Sequence, residues 1–171
     1  MHGYKNFYFE SKIAFKSVLD KYNPIVSVKK NECDCVYKIT LDFQNCKLIL
    51  GFDYQDFQSR IVNPLSPDIE YHVFDILEII NPNYKIKNIN KDNKHFSEFF
   101  ETLSNLAYVI KKYLNNVIEG DFTWIEEYNI KKEKVLLSKL WSLENSDPIY
   151  QKFINGDLSW FVDMSKRIEN E

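Results

Sequence analysis

The sequence predicts an α+β fold: an N-terminal helix, an antiparallel meander of three to four strands, then a mostly helical C-terminal half packed on one sheet face. Three observations carry this. Before Tyr22, apolar residues recur at three- and four-residue steps, the mark of an amphipathic helix. Between Tyr37 and Val62 they recur every second residue, the period of a half-buried strand. From Phe96 onward the helical spacing returns. At 171 residues one domain, 1–171, is the expected organisation. A chain this long buries roughly 70% of its unfolded surface and needs no staples.

The first helix gathers Phe7 or Tyr8, Ser11, Ala14, Phe15, Val18, Leu19 and Tyr22 on one stripe. Asn23-Pro24 ends it, since the residue before proline is pushed out of helical geometry. Ile25 to Val28 reads as a short strand and Lys29 to Asp34 as a polar loop.

In the meander, Tyr37, Ile39, Leu41 and Phe43 alternate with Lys38, Thr40 and Asp42. Cys46, Leu48, Leu50, Phe52 and Tyr54 form the next apolar set, and Phe57, Ser59 and Ile61 the third. The gaps Gln44-Asn45 and Gln55-Asp56 suit two-residue hairpins. The first turn pairs Phe43 with Cys46, Leu41 with Leu48, Ile39 with Leu50 and Tyr37 with Phe52. The second is expected to pair Tyr54 with Phe57 and Leu50 with Ile61. All apolar sets then share one face, and a one-residue slip would invert a whole set. The opposite face pairs Asp42 with Lys47, Gly51 with Arg60 and Ile49 with Val62.

Asn63-Pro64 ends the third strand. Ser66-Pro67-Asp68 predicts a helix start, with Ile69, Val73, Ile76, Leu77 and Ile80 as its stripe and Asn81-Pro82-Asn83 as its stop. Residues 83–95 read as irregular, with Tyr84 to Ile89 open to a short strand. A long helix comes next, its stripe running from Phe96 through Leu103, Leu106, Ala107, Ile110 and Leu114 to Val117 and Ile118. Further helices are expected over about Ile130 to Leu143, after Asp147-Pro148, and over Trp160 to Ile168.

VIEGDFTW (Val117 to Trp124) is echoed 36 residues later by FINGDLSW (Phe153 to Trp160). Gly120 and Gly156 fall just past helices, where a left-handed residue is wanted. Asp121 and Asp157 can each cap the next helix, and Thr123 with Glu126 has capping-box spacing. The repeat therefore reads as helix punctuation. Two copies do not make a solenoid.

Composition excludes several classes. Net charge is −3; residues 1–90 carry 11 basic and 11 acidic groups, residues 91–171 carry 11 and 14. Neither half has the clustered positive footprint of a nucleic-acid binder. No apolar run approaches a membrane span, and MHGYKNFYFESK lacks the apolar core of a signal peptide. With an odd count of three cysteines, this predicts a reducing, cytoplasmic setting.

Candidate chemistry is sparse. Cys33-Asp34-Cys35 could share a metal, but zinc needs two more ligands. Cys46 and His72 are the nearby options, and Cys46 points into the predicted core, so ordinary reduced cysteines are expected. His2, His72 and His95 show no ligand spacing and read as surface or boundary residues, His72 on a helix flank. Asp42, Asp53 and Asp56 could cluster with Glu70 or Asp75, yet their order and spacing match no metal-nuclease pattern. No catalytic residue, metal or cofactor is assigned. The aromatic content, eleven Tyr, 13 Phe and three Trp, suits both a core edge and a protein interface. The mixed sheet face is the better-defined surface. Asp42, Lys47, Ile49, Asp53, Asp56 and Arg60 are its candidate partner-binding residues, with Thr40 and Val62 among them. That face is either offered to a partner or covered by a C-terminal helix.

YKITLDFQNCKLILGFDYQDFQSRIVNP, then HVFDILEII, then NLAYVIKKYLNNVIEGDFTW, in this order behind an N-terminal helix, resembles the small cytoplasmic immunity proteins of bacterial toxin systems. The resemblance spans about residues 1–128. It implies a non-enzymatic binder that neutralises a cognate toxin by covering its active site or locking its shape. The competing expectations are a metal-dependent, nuclease-like enzyme built on sheet carboxylates and a regulatory adaptor module.

Overall fold

The structure is a computed structural model, and it describes residues 3–30, 37–53, 56–84 and 98–169. They form two compact units, Met1–Trp124 and Ile125–Glu171.

The first unit opens with two helices where the periodicity predicts one, α1 (Gly3–Ala14) and α2 (Lys16–Tyr22). The break is at Phe15, which is 1% exposed. One turn earlier the buried Ser11 hydroxyl donates to the Phe7 carbonyl at 2.7 Å, a local bond that bends helices. Hydrophobic spacing continues across such a bend, so the break is silent in the sequence. Helix α2 ends as expected, with Asn23 in the left-handed region (φ 44°) and its N–H on the Leu19 carbonyl.

Five strands come next: β1 (Ile25–Lys30), β2 (Tyr37–Asp42), β3 (Lys47–Asp53), β4 (Asp56–Val62) and β5 (Glu70–His72). They form one antiparallel sheet in the order β1-β2-β3-β4-β5, the predicted meander lengthened by β5. The β2–β3 register is the predicted one, with Leu41 opposite Leu48 and Asp42 opposite Lys47. In the turn, Phe43 N–H donates to the Cys46 carbonyl at 2.9 Å. The left-handed residue there is Gln44, at φ 72°; Asn45 instead donates its amide to the Glu119 carbonyl at 3.1 Å.

The β3–β4 register corrects the expectation. Phe57 lies opposite Phe52, Ser59 opposite Leu50, Ile61 opposite Leu48 and Asp53 opposite Asp56. The slip is two residues; positions 54 and 55 lie outside the described residues. A two-residue slip keeps every side chain on its own face, so alternation alone cannot choose between the two registers.

The predicted helix start at Ser66 is also corrected. Leu65 N–H bonds the Asn63 carboxamide and Ser66 N–H the Asn63 carbonyl, both at 2.9 Å, so Asn63-Pro64 opens a turn. Ser66-Pro67-Asp68 makes a second turn, Ile69 N–H returning to the Ser66 carbonyl. The chain then pairs as β5 before α3 (Val73–Ile80) begins. Ile69, expected on a helix stripe, is 49% exposed, whereas Val73, Ile76 and Leu77 are buried.

The long helix divides into α4 (Glu98–Tyr113) and α5 (Asn115–Ile118). Leu114 shares its N–H between the Val109 and Ile110 carbonyls. Of the predicted stripe, Leu103, Leu106, Ala107, Ile110, Leu114, Val117 and Ile118 are buried and Phe100 is half-buried; Phe96 and the Phe99 side chain lie outside the described residues. Helix α4 packs on α1, α2 and α3. The inner sheet face, with Ile39, Leu41, Leu48, Leu50 and Ile61, is equally buried. Phe7 of α1 meets Phe57 at 6.2 Å between ring centres. Trp124 closes the unit edge-on to Tyr71 at 5.0 Å, its indole N–H on the Asp121 carbonyl.

The second unit holds α6 (Ile125–Trp141), α7 (Pro148–Ile154) and α8 (Ser159–Glu169). Leu136, Leu140, Ile149 and Met164 form its core. Asp147 caps α7 through the Ile149 N–H at 2.8 Å and pairs with Arg167. That guanidinium, with the Ile149 N–H, holds the Asp147 carboxyl below the usual range.

Both GD stretches are punctuation of one kind. Gly120 N–H bonds the Val117 carbonyl and Asp121 N–H the Asn116 carbonyl; Gly156 and Asp157 repeat this on Phe153 and Lys152. The glycines stand at φ 101° and 73°. This paired closure of a helix end needs a left-handed residue at its centre. The aspartates then accept from the N–H two residues on, Thr123 and Ser159. Because α6 begins at Ile125, Thr123 stands one residue too early to cap it; its hydroxyl goes to Asp121.

Candidate functional site

Alternation sends one set of each strand inward and the other to an outer face. Register places Asp42, Lys47, Val62 and Glu70 in one row of that face. Thr40, Ile49, Arg60 and His72 form the next, and Lys38, Gly51 and Gln58 the third. Asp42, Lys47, Ile49 and Arg60, four of the predicted partner-binding residues, are therefore brought together. Asp53 and Asp56 face each other in the β3–β4 register at the far end of the hairpin; their side chains lie outside the described residues.

The charges are ordered. Lys47 reaches Asp42 at 3.2 Å. Arg60 donates to Glu70 at 3.0 Å and to Gln58 at 2.8 Å. Lys38 of β2 reaches the other Glu70 oxygen, on β5, at 3.5 Å. The Arg60 Nε is buried with no hydrogen-bond partner among the described residues. These side chains keep roughly a third of their surface in water. Ion pairs so exposed contribute about 0–1 kcal/mol each. The ion pairs thus add little to stability, and their fixed alternation of sign suits the face to recognition. Glu70 was legible only as a member of a carboxylate cluster, because three residues of strand carry no period and the preceding Ser-Pro-Asp imitates a helix start.

Other candidates separate. His72 ends β5 and precedes α3 with no side-chain capping bond, instead of lying on a helix flank. Asp42 and Glu70 are engaged with cations, and Asp75 sits in the first turn of α3. Among the described residues no three His, Cys, Asp or Glu side chains gather as a metal site. Cys33-Asp34-Cys35 lies outside the described residues. No helix among those described is long and apolar enough to cross a membrane.

Cys46 is fully buried. Burial first, and the negative charge of Asp42 second, push its thiol up to about 12. A folded value above the unfolded one favours folding while the thiol stays protonated. That contribution is complete below the unfolded value near 9 and is lost as pH rises from there through about 12. At pH 11 the loss is about 2–3 kcal/mol. Denaturant unfolding at pH 8 and pH 11 should show a steeper alkaline fall for the natural chain than for Cys46→Ala; equal slopes would place the thiol in water.

Comparison with known proteins returned no matching family model, no matching curated protein and no matching solved structure.

Proposed function

We propose that the chain is a cytoplasmic binding protein, an immunity protein that neutralises a cognate bacterial toxin by direct protein–protein contact. One observation carries this reading: a sheet face whose acidic and basic side chains are held in fixed pairs at the surface, where they add little to stability. Preordered charges of both signs restrict which partners fit. The resemblance of the helix–meander–helix layout to small immunity proteins supplies the kind of partner.

The test is co-expression with the toxin encoded beside the gene. The chain is expected to form a stable complex with that toxin and to restore growth of cells producing it. A chain that folds yet neither binds nor protects would end this reading. A metal-dependent increase in nuclease activity, lost in Asp42→Ala without loss of folding, would favour the enzymatic alternative.

A further inference from the structure

We propose that the open edge of β1, with the cleft beneath it, takes an extended segment of a partner protein as a sixth strand, one with apolar side chains at alternate positions and an acidic side chain between them. This rests on the reading of the chain as a protein-binding protein but uses the β1 edge, apart from Asp42, Lys47, Ile49 and Arg60.

Strand β1 pairs with β2 alone, and no other strand among the described residues lies on its far side. Its apolar residues are unusually open: Ile25 is 73% exposed, Val26 40% and Val28 39%. An edge of this kind presents a row of backbone donors and acceptors to any extended chain.

The inner side of that edge is hollow. A small cleft of about 110 Å³ lies between the sheet and the first two helices, lined by Tyr8, Lys12, Phe15 and Leu19 on one wall and by Val26 and Leu41 on the other. It is far smaller than the roughly 300–1,000 Å³ of small-ligand sites, with room for single side chains and not for a separate small molecule. Side chains of a strand alternate between faces. A segment added at β1 therefore sends every second side chain toward the side of Val26, over the cleft. The in-between side chains fall on the side of Ile25, Ser27 and Lys29.

Charge selects the occupant. Lys29 lies directly opposite Lys38 in the β1–β2 register; Lys38 is engaged with Glu70, while Lys29 is an exposed cation at the sheet edge. An acidic residue opposite Lys29 makes a favourable cross-strand pair with it. A second copy of this chain would bring another Lys29 and Lys38 to the joined sheet.

The experiment uses the full chain, isotopically labelled, and a synthetic ten-residue peptide of alternating valine and glutamate. Three control peptides accompany it: valine and lysine alternating, the acidic peptide with alternate backbone amides N-methylated, and one with its valines replaced by serine. Expected results are saturable binding of the first peptide, slowed amide exchange confined to β1, and shifted signals from Val26 and Leu41. Each control is expected to bind at least about tenfold more weakly. Val26→Lys, shown folded by its melting curve, is expected to weaken binding to a similar degree. The proposal is overturned by any of four results: no saturation up to about 1 mM peptide, equal binding of the methylated peptide, shifts confined to the outer face, or a dimer of the chain that occupies β1 and excludes the peptide. Peptide binding is read without the toxin, so failure here leaves the toxin experiment intact, and failure there leaves this one intact.

Discussion

Leu48→Ala is expected to destabilise the first unit by about 2–5 kcal/mol, while Ile49→Ala next to it costs roughly 1 kcal/mol. Leu48 is completely buried on the inner face of the middle strand, opposite Leu41 on one side and Ile61 on the other. Truncation removes its transfer energy and leaves a cavity that close-packed neighbours fill only in part. Ile49 is half-buried on the outer face, in the row of Thr40 and Arg60. Only part of its apolar surface is withdrawn from water, and full burial of such a side chain is worth about 1.5–3 kcal/mol. Denaturant unfolding of the two variants distinguishes the faces. A larger cost at Ile49 would mean the sheet is inverted.

Gly120→Ala should cost about 2 kcal/mol or more, and Gly156→Ala about 1 kcal/mol, although both glycines close helices in the same way. A side chain in the left-handed region costs roughly 1–2 kcal/mol, and this burden is common to both. The difference is local. At Gly120 a β-carbon would stand 3.2 Å from the Asn45 Cβ, whereas at Gly156 it would meet nothing within 4 Å. Asn45 is held in place by its amide on the Glu119 carbonyl, so it cannot withdraw without losing that bond. Each variant is to be followed in the melting of its own unit. Equal costs would show that the Asn45 contact carries no strain.

Legibility in the sequence depended on which signals have a period. Alternation at Tyr37 to Phe52 specified the β2–β3 ladder residue by residue, because a tight turn at Gln44-Asn45 left one register. The next hairpin shared the same alternation, yet two registers satisfied it, and the turn residues did not decide. Helix stripes at Leu103 to Ile118 were legible, but the interruptions at Phe15 and Leu114 were not: backbone bonds bend a helix without changing its hydrophobic spacing. Strand β5 was hidden because three residues show no period and Ser66-Pro67-Asp68 satisfies the rules for a helix start. Asp42, Lys47, Ile49 and Arg60 were legible as one surface for the same reason as the ladder. The link from Glu70 to Lys38 spans four strands, a relation no local pattern encodes.

The outer sheet face is the surface proposed to contact the partner. Its most direct measurement is the affinity of the cognate toxin for the natural chain and for Lys47→Glu and Arg60→Glu, each first shown to retain its fold. These residues add at most about 1 kcal/mol to stability as exposed pairs, but reversing a charge at a contacted position costs several kcal/mol of binding. The expected result is a loss of affinity of about a hundredfold or more with folding preserved. Unchanged affinity in both variants would contradict it.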